Sequence, residues 1–183
     1  MTASLGLLAF GACESNINPA PIIFAGAPET TRTGHFLKTF EQVCITPLPN
    51  LRDVAGALES TDWEVVSDDQ ANQFLLFGYD AVTDVRKGLL GSTEITAAVH
   101  EGEQYGTTLV ACSMEISGVS ASALEDMFAL ARHIDGDPFA DMDFAPVFAR
   151  TWVLKSTENR TPPFALTIED NGETGKVRVF VSQ

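Results

Sequence analysis

Alternating apolar and polar residues on both sides of short turns are the feature that most constrains the fold of this chain. One pair of such runs is Thr93–His100 and Thr107–Ile116, which are joined by the segment EGEQYG. A second pair, Phe164–Glu169 and Lys176–Val181, flanks Asn171–Gly172. A two-residue period is typical of strands with one buried face, and Asn-Gly or Gly-containing connections join neighbouring antiparallel strands. The sequence therefore predicts an antiparallel sheet that is built of hairpins.

Two segments have the apolar spacing of amphipathic helices. Leu51–Val66 follows Asn50, whose side chain is suited to cap the first amides of a helix. A second helix is predicted to begin at the capping box of Ser122 and Glu125, and Gly136 is placed to end it. Its predicted buried stripe consists of Leu124, Met127, Phe128, Ala131 and Ile134. Hairpins with two main helices predict an α+β fold in which both helices pack on one face of the sheet.

Two further strands complete this prediction. Phe36–Ile45 is interpreted as a strand because Phe36, Phe40 and Cys44 share one face at a two-residue period. Arg150–Lys155 is interpreted as another strand. The apolar run at residues 74–79 fits either a strand or an aromatic flap, and glycines leave residues 81–92 unassigned.

Length and charge limit the classes of function. The chain has 183 residues, of which 45% are hydrophobic and 20% charged, and these proportions predict one globular domain. Its net charge is −14 at pH 7. Binding to nucleic acid or to anionic lipid depends on Lys and Arg, so we expect no nucleic-acid partner. Solubility is a sufficient explanation of the acidic surface.

The first thirteen residues contain a segment that is typical of a targeting signal. Leu5–Cys13 reads LGLLAFGAC, a short apolar run that stops at the small residues Gly11 and Ala12 before a cysteine. This segment resembles the end of a bacterial lipoprotein signal peptide. The resemblance implies that residues 1–12 are a signal segment, that Cys13 is lipidated, and that the Pro-containing residues 13–33 are a tether. Residues 34–183 are then the single α+β domain.

The same resemblance implies a location and a redox state. A lipid on Cys13 would be the membrane contact, and the domain would lie on the periplasmic side of the cell envelope. Glu14, rather than Asp, follows the cysteine, which favours the outer membrane within this class. Cys44 and Cys112 are the two cysteines that remain after Cys13, and in an oxidising compartment we expect a disulfide between them. The alternative is two separate buried thiols.

The densest group of possible metal ligands follows the second predicted helix. It consists of His133, Asp135, Asp137, Asp141 and Asp143. Their spacing does not match a calcium-binding EF-hand loop, because Pro138 interrupts it and no Glu closes it. We therefore interpret the segment as a solvated acidic linker without a tightly bound metal, and we expect no cofactor. The alternative is a small hydrolase or metal-dependent enzyme centred on His133 and Asp135.

Phe139, Phe144 and Phe148 surround Pro138 and Pro146 in the same region. These rings are candidates for an exposed binding patch, and the alternative is that they cover the sheet as part of the core. The chain has no GxSxG, GxxxxGK[ST] or GxGxxG motif, so we assign no catalytic residue. The sequence favours a binding or assembly role with a protein partner at the cell envelope. A subunit of a larger complex is a further alternative.

Overall fold

The computed structural model describes residues 29–160 and 162–183. The helices in these ranges are α1 (Glu29–Phe40), which continues as a π-helical segment (Glu41–Ile45), α2 (Leu51–Glu59), α3 (Asp68–Ala71) and α4 (Ala121–Leu130). The strands are β1 (Glu64–Val65), β2 (Ala81–Leu90), β3 (Thr93–Gln104), β4 (Thr107–Ser117), β5 (Ala140–Phe144), β6 (Val147–Val153), β7 (Ala165–Asn171) and β8 (Lys176–Ser182). Short 3-10 segments lie at Asn72–Phe74 and Lys155–Thr157.

All eight of these strands form one antiparallel sheet in the order β1-β2-β3-β4-β8-β7-β6-β5. The chain builds β1 to β4 as neighbours, crosses to the opposite edge, and returns inward until β8 pairs with β4. Both hairpins that the alternating runs predict are present, as β3–β4 and β7–β8. The α+β class and the antiparallel sheet are confirmed.

One face of the sheet carries the main core. The paired residues Ile95 and Ile116, Val99 and Cys112, and Met114 and Val179 all lie on this face. The helical residues that pack on the same cluster are Phe36, Phe40, Val54, Leu58, Leu124 and Phe128. Trp63 is partly buried against this core. A smaller cluster of Val66, Ala71, Val85 and Ala98 lies apart from the main one.

The prediction of a strand at Phe36–Ile45 is wrong, because the segment is helical. Phe36, Phe40 and Cys44 are four residues apart, a spacing that satisfies both a strand period and one helical turn. Leu37 and Val43 are also buried, and only a helix places both sets on one side. Because α1 includes residues 29–40, the boundary predicted at residue 34 falls inside a helix.

The ends of the two predicted helices differ from the expectation. Asn50 does cap α2, since its side chain accepts a hydrogen bond from the amide of Arg52 at 3.0 Å, but α2 stops at Glu59 rather than Val66. The cap of α4 is Ser120, which accepts from the amide of Ala123, rather than Ser122. Arg132, at φ 61°, ends α4 before Gly136 is reached.

The β7–β8 connection also differs in detail from the predicted Asn-Gly turn. Strand β7 continues to Asn171, and the connection runs from Gly172 to Gly175, where the positive φ of 64° occurs. The Asn171 side chain accepts hydrogen bonds from the amides of Glu173 and Thr174 at 3.1 Å. Asn171 therefore organises the turn through its side chain instead of occupying a left-handed position.

The predicted disulfide is present. Cys44 and Cys112 are bonded, with their Cα atoms 5.3 Å apart, and the bond joins the π-helical segment to β4 at the centre of the sheet.

Two segments that the sequence left open are now assigned. Residues 81–92 contain β2, and residues 74–79 form the end of a 3-10 segment followed by a turn. In the described part of the chain, no helix has the length and apolar character to cross a bilayer. The signal-like segment and Cys13 lie outside the described residues.

Candidate functional site

Residues 139–153, here called the edge hairpin, form the outer side of the sheet beyond β7. Strand β5 is the last strand in the sheet order and pairs only with β6 among the described strands. The predicted acidic linker is therefore a linker only as far as Phe139, because Asp141 and Asp143 lie on β5. The alternation of Asp141, Met142, Asp143 and Phe144 fits a strand, which explains the difference.

The three phenylalanines proposed as a binding patch are exposed on the edge hairpin. Their exposed fractions are 64% for Phe139, 74% for Phe144 and 46% for Phe148. Met142 on β5 is also 46% exposed. Four other phenylalanines, Phe36, Phe40, Phe128 and Phe164, are fully buried. These seven phenylalanines thus divide between the core and the exposed edge hairpin.

The register divides the edge hairpin into two faces. Asp143 is paired with Phe148 and Asp141 with Arg150, and these four residues are on the face that carries α4. Met142 is paired with Ala149 and Phe144 with Val147, which places them on the opposite face. The edge hairpin therefore has an acidic side with one phenylalanine and an apolar side.

A groove of about 490 Å³ lies between the edge hairpin and the beginning of α4. The buried side chain of Ile168 on β7 is part of its lining, as are Ser120 and Ala121 at the start of α4. The charged residues that line it are Glu125, Asp141, Asp143, Asp170 and Arg150. With four carboxylates and one guanidinium, the groove has the charge to accept a cationic group.

Arg150 connects the two walls of this groove. Its Nη1 lies 3.0 Å from Oε2 of Glu125 on α4, and its Nε lies 3.6 Å from Oδ2 of Asp141 on β5. Within the described chain, neither Asp143 nor Asp170 forms an ion pair. Arg150 therefore positions the hairpin against α4 and leaves two carboxylates open to an external cation.

His133 and Asp135, the centre of the alternative enzyme hypothesis, have separate partners. Nε2 of His133 lies 2.5 Å from Oε1 of Glu41, and its ring packs edge-on against Phe128. Asp135 lies 3.3 Å from Nζ of Lys155. The hydrogen bonds that Lys155 donates to Glu158 and to Asp135, in that order of importance, raise the pKa of Lys155. These contacts direct the two residues to different neighbours.

The five predicted metal-ligand candidates do not converge. Asp137 is exposed on the loop, and Asp141 and Asp143 lie on the edge strand β5, where Asp141 faces Arg150. Across residues 29–160 and 162–183, no group of three or more His, Cys, Asp or Glu residues has the geometry to hold a metal ion. Of the candidates from the sequence, the structure brings together Asp141, Asp143 and Phe148 in the groove.

His100 is a buried titratable group that sequence reasoning did not single out. Its Nε2 lies 2.9 Å from Oγ of Ser113, and its Nδ1 has no hydrogen-bond partner in the part of the chain that the structure describes. Burial, with a smaller contribution from Arg178, lowers the pKa of His100 to about 4. A neutral, buried His–Ser pair whose imidazole has no carboxylate partner lacks the orienting group of a nucleophilic triad.

Three charged residues of the groove were not predicted as site residues from the sequence, namely Glu125, Arg150 and Asp170. They come from α4, β6 and β7, so their proximity depends on the sheet order rather than on local spacing. The two-residue spacing of Asp141 and Asp143 was one signal in the sequence that both carboxylates lie on the same face of a strand, the face on which Asp141 pairs with Arg150.

No family model, curated protein or solved structure matches this chain.

Proposed function

We propose that this protein is a non-enzymatic binding module of the cell envelope, which docks a protein partner through the edge hairpin. The observation that carries the proposal is the set of exposed apolar side chains on the edge hairpin, with Met142 and Phe144 on one face and Phe148 on the groove face. Exposed apolar surface with a polar rim is typical of protein-interaction sites. The adjoining acidic groove supplies that rim.

The proposed location is the periplasmic side of the envelope, with the outer membrane favoured. The signal-like segment LGLLAFGAC supports export and lipidation of Cys13, and Glu14 supports the outer membrane. The Cys44–Cys112 disulfide supports folding in an oxidising compartment, because such bonds persist there and are rare in the cytosol. The proposed tether is shortened to residues 13–28, because residues 29–33 belong to α1.

In this proposal the helices predicted for one face of the sheet, α2 and α4, act as a rigid support. Val54 and Leu58 of α2 and Leu124 of α4 contribute fully buried side chains to the main core. Binding sites that are mounted on packed elements hold their geometry better than sites on loops. The edge hairpin would therefore present its rings without rearrangement of the core.

Site-specific photo-crosslinking in the native host tests the proposal. Benzoyl-phenylalanine at position 144 or 148 should give a discrete adduct with an envelope protein. The matched control is position 77, because Phe77 is a fully exposed phenylalanine in a turn after the 3-10 segment, apart from the edge hairpin. Adducts that are absent at the hairpin, or identical at position 77, would overturn the proposed docking role.

Lipidation is tested separately by mass spectrometry of the native protein. The expected result is loss of residues 1–12 and a diacyl or triacyl modification on Cys13. The Cys13→Ser variant should then be released from the membrane fraction, while Cys112→Ser should keep its lipid. An unmodified Cys13 with an intact N-terminus would refute the lipid anchor and leave the docking proposal to its own test.

A further inference from the structure

Strand β5 offers an unpaired backbone edge. Within the described ranges it pairs with β6 on one side, and no strand pairs with its other side. Four of its five residues are exposed and Ala140 is half-buried. Alternate N–H and C=O groups of a strand point to each side, so the outer row of β5 can accept another strand. At the opposite edge of the sheet, β1 has two residues, which is too short for a comparable site.

The side chains of β5 define which strand would fit. Asp141 and Asp143 lie on the groove face, and Met142 and Phe144 lie on the other face. Residues directly opposite one another on paired strands interact, and opposite charges or apolar pairs stabilise the pairing. An added strand would therefore place cations against the two aspartates and apolar side chains against Met142 and Phe144.

We propose that β5 binds an extended segment of a partner protein in which Lys or Arg alternates with apolar residues. This inference rests on the proposed docking function and names its chemistry. The segment adds a ninth strand to the sheet, so backbone hydrogen bonds supply affinity and the alternating side chains supply specificity. Its cationic side chains extend over the groove, where Asp143 and Asp170 have no ion-pair partner among the described residues.

A second copy of this chain fits the edge poorly. If two β5 strands paired antiparallel about Met142, Asp141 of each copy would lie opposite Asp143 of the other. Like charges that lie directly opposite each other destabilise strand pairing. The net charge of −14 adds long-range repulsion between copies. The same aspartates that select a basic strand therefore oppose self-association through this edge.

The first test uses the labelled peptide acetyl-Lys-Val-Lys-Val-Lys-Val-Lys-amide and measures its fluorescence anisotropy with the purified protein. The double variant Asp141→Asn/Asp143→Asn should weaken binding about tenfold, the effect of losing two cross-strand charge pairs. The control Asp68→Asn/Asp69→Asn removes the same charge from exposed positions on α3 and should leave the affinity unchanged. Equal losses in both variants would show non-specific attraction and overturn the proposal.

The second test asks whether the peptide binds as a strand. Two versions carry N-methyl groups on alternate amides, one on the lysines and one on the valines. In an added strand one alternate set of amides faces β5, so one version should lose binding and the other should keep it. If both bind, or neither does, strand addition is refuted.

The outcomes separate this inference from the proposed function. If position 144 gives crosslinked adducts but the alternating peptide does not bind, the docking role is kept and the proposal of a basic partner strand is rejected. Binding of a scrambled peptide with the same charge, Lys-Lys-Val-Val-Val-Lys-Lys, at equal affinity would also reject it. Sedimentation of the wild-type protein as a dimer that Asp141→Asn/Asp143→Asn strengthens would place β5 in a self-pairing interface and overturn the choice of a partner segment over a second copy.

Discussion

Nε2 of His100 lies 2.9 Å from Oγ of Ser113, and both side chains are buried between the neighbouring strands β3 and β4. No described residue satisfies Nδ1, and burial holds the imidazole in its neutral form. This pair is therefore a buried polar contact inside the sheet, and it makes stability depend on pH.

The first prediction concerns this pH dependence. The pKa of His100 is about 4 in the folded protein against 6.5 for an unperturbed imidazole. The unfolded chain therefore binds the proton first as pH falls, and the free energy of unfolding decreases between pH 6.5 and 4, by about 3 kcal/mol in total. Urea unfolding across this range should show that decrease in the wild type. His100→Gln, which can keep a hydrogen bond to Ser113, should remove the part of the pH dependence of the unfolding free energy that is due to His100. Equal pH dependence in the wild type and the variant would contradict the assignment to His100.

The second prediction concerns the disulfide between Cys44 and Cys112. The two cysteines are 68 residues apart in sequence, so in the chain-entropy model the bond stabilises the fold by about 4 kcal/mol. The double variant Cys44→Ala/Cys112→Ala should lose stability of that order in urea unfolding. Addition of a reductant should destabilise the wild type and leave the double variant unchanged. A wild type that is insensitive to reductant would contradict the prediction.

The third prediction uses two glycines as a matched pair. A Cβ at Gly88 would lie 2.3 Å from Cδ1 of Trp63, whereas at Gly56 in α2 it would meet no atom within 4 Å. Gly88→Ala should therefore displace the Trp63 ring and destabilise the protein by about 1–3 kcal/mol. Gly56→Ala should stabilise it by about 0.5–1 kcal/mol, because alanine is the better helix former. Urea unfolding with tryptophan emission measures both, and a neutral Gly88→Ala would contradict the packing.

Strand β2 at Gly88 could not be predicted from the sequence. The glycine suggested a break in regular structure, yet the chain continues through it as β2 because Trp63 occupies the space of a missing side chain. The alternating hairpins were predictable because their pattern is local and their period is unambiguous. The helix α1 was not, since residues four apart satisfy two periods, and only the packing of Leu37 and Val43 decides between them.

The candidate site was predictable in part for the same reason. Asp141, Asp143 and Phe148 are close in sequence, so composition alone marked the segment. Glu125 and Asp170 join them only because β6 and β7 return beside the start of α4, which is a property of topology. The predicted pairing of Cys44 with Cys112 was found because only two cysteines follow Cys13 in the chain.

The last prediction separates function from stability at two phenylalanines. Phe144 is 74% exposed on the edge hairpin, whereas Phe128 is fully buried in the main core. Phe144→Ser should change the free energy of unfolding by less than about 0.5 kcal/mol, as is usual at exposed positions, whereas Phe128→Ala should destabilise the fold by about 3–5 kcal/mol. With a photo-crosslinker at position 139, Phe144→Ser should strongly reduce the partner adduct, because a docked partner would lose its contact with the exposed ring. Phe77→Ser provides the exposed control and should leave both stability and adduct yield unchanged. If Phe144→Ser keeps the full adduct yield, or unfolds the domain, the ring does not serve as a contact for a partner.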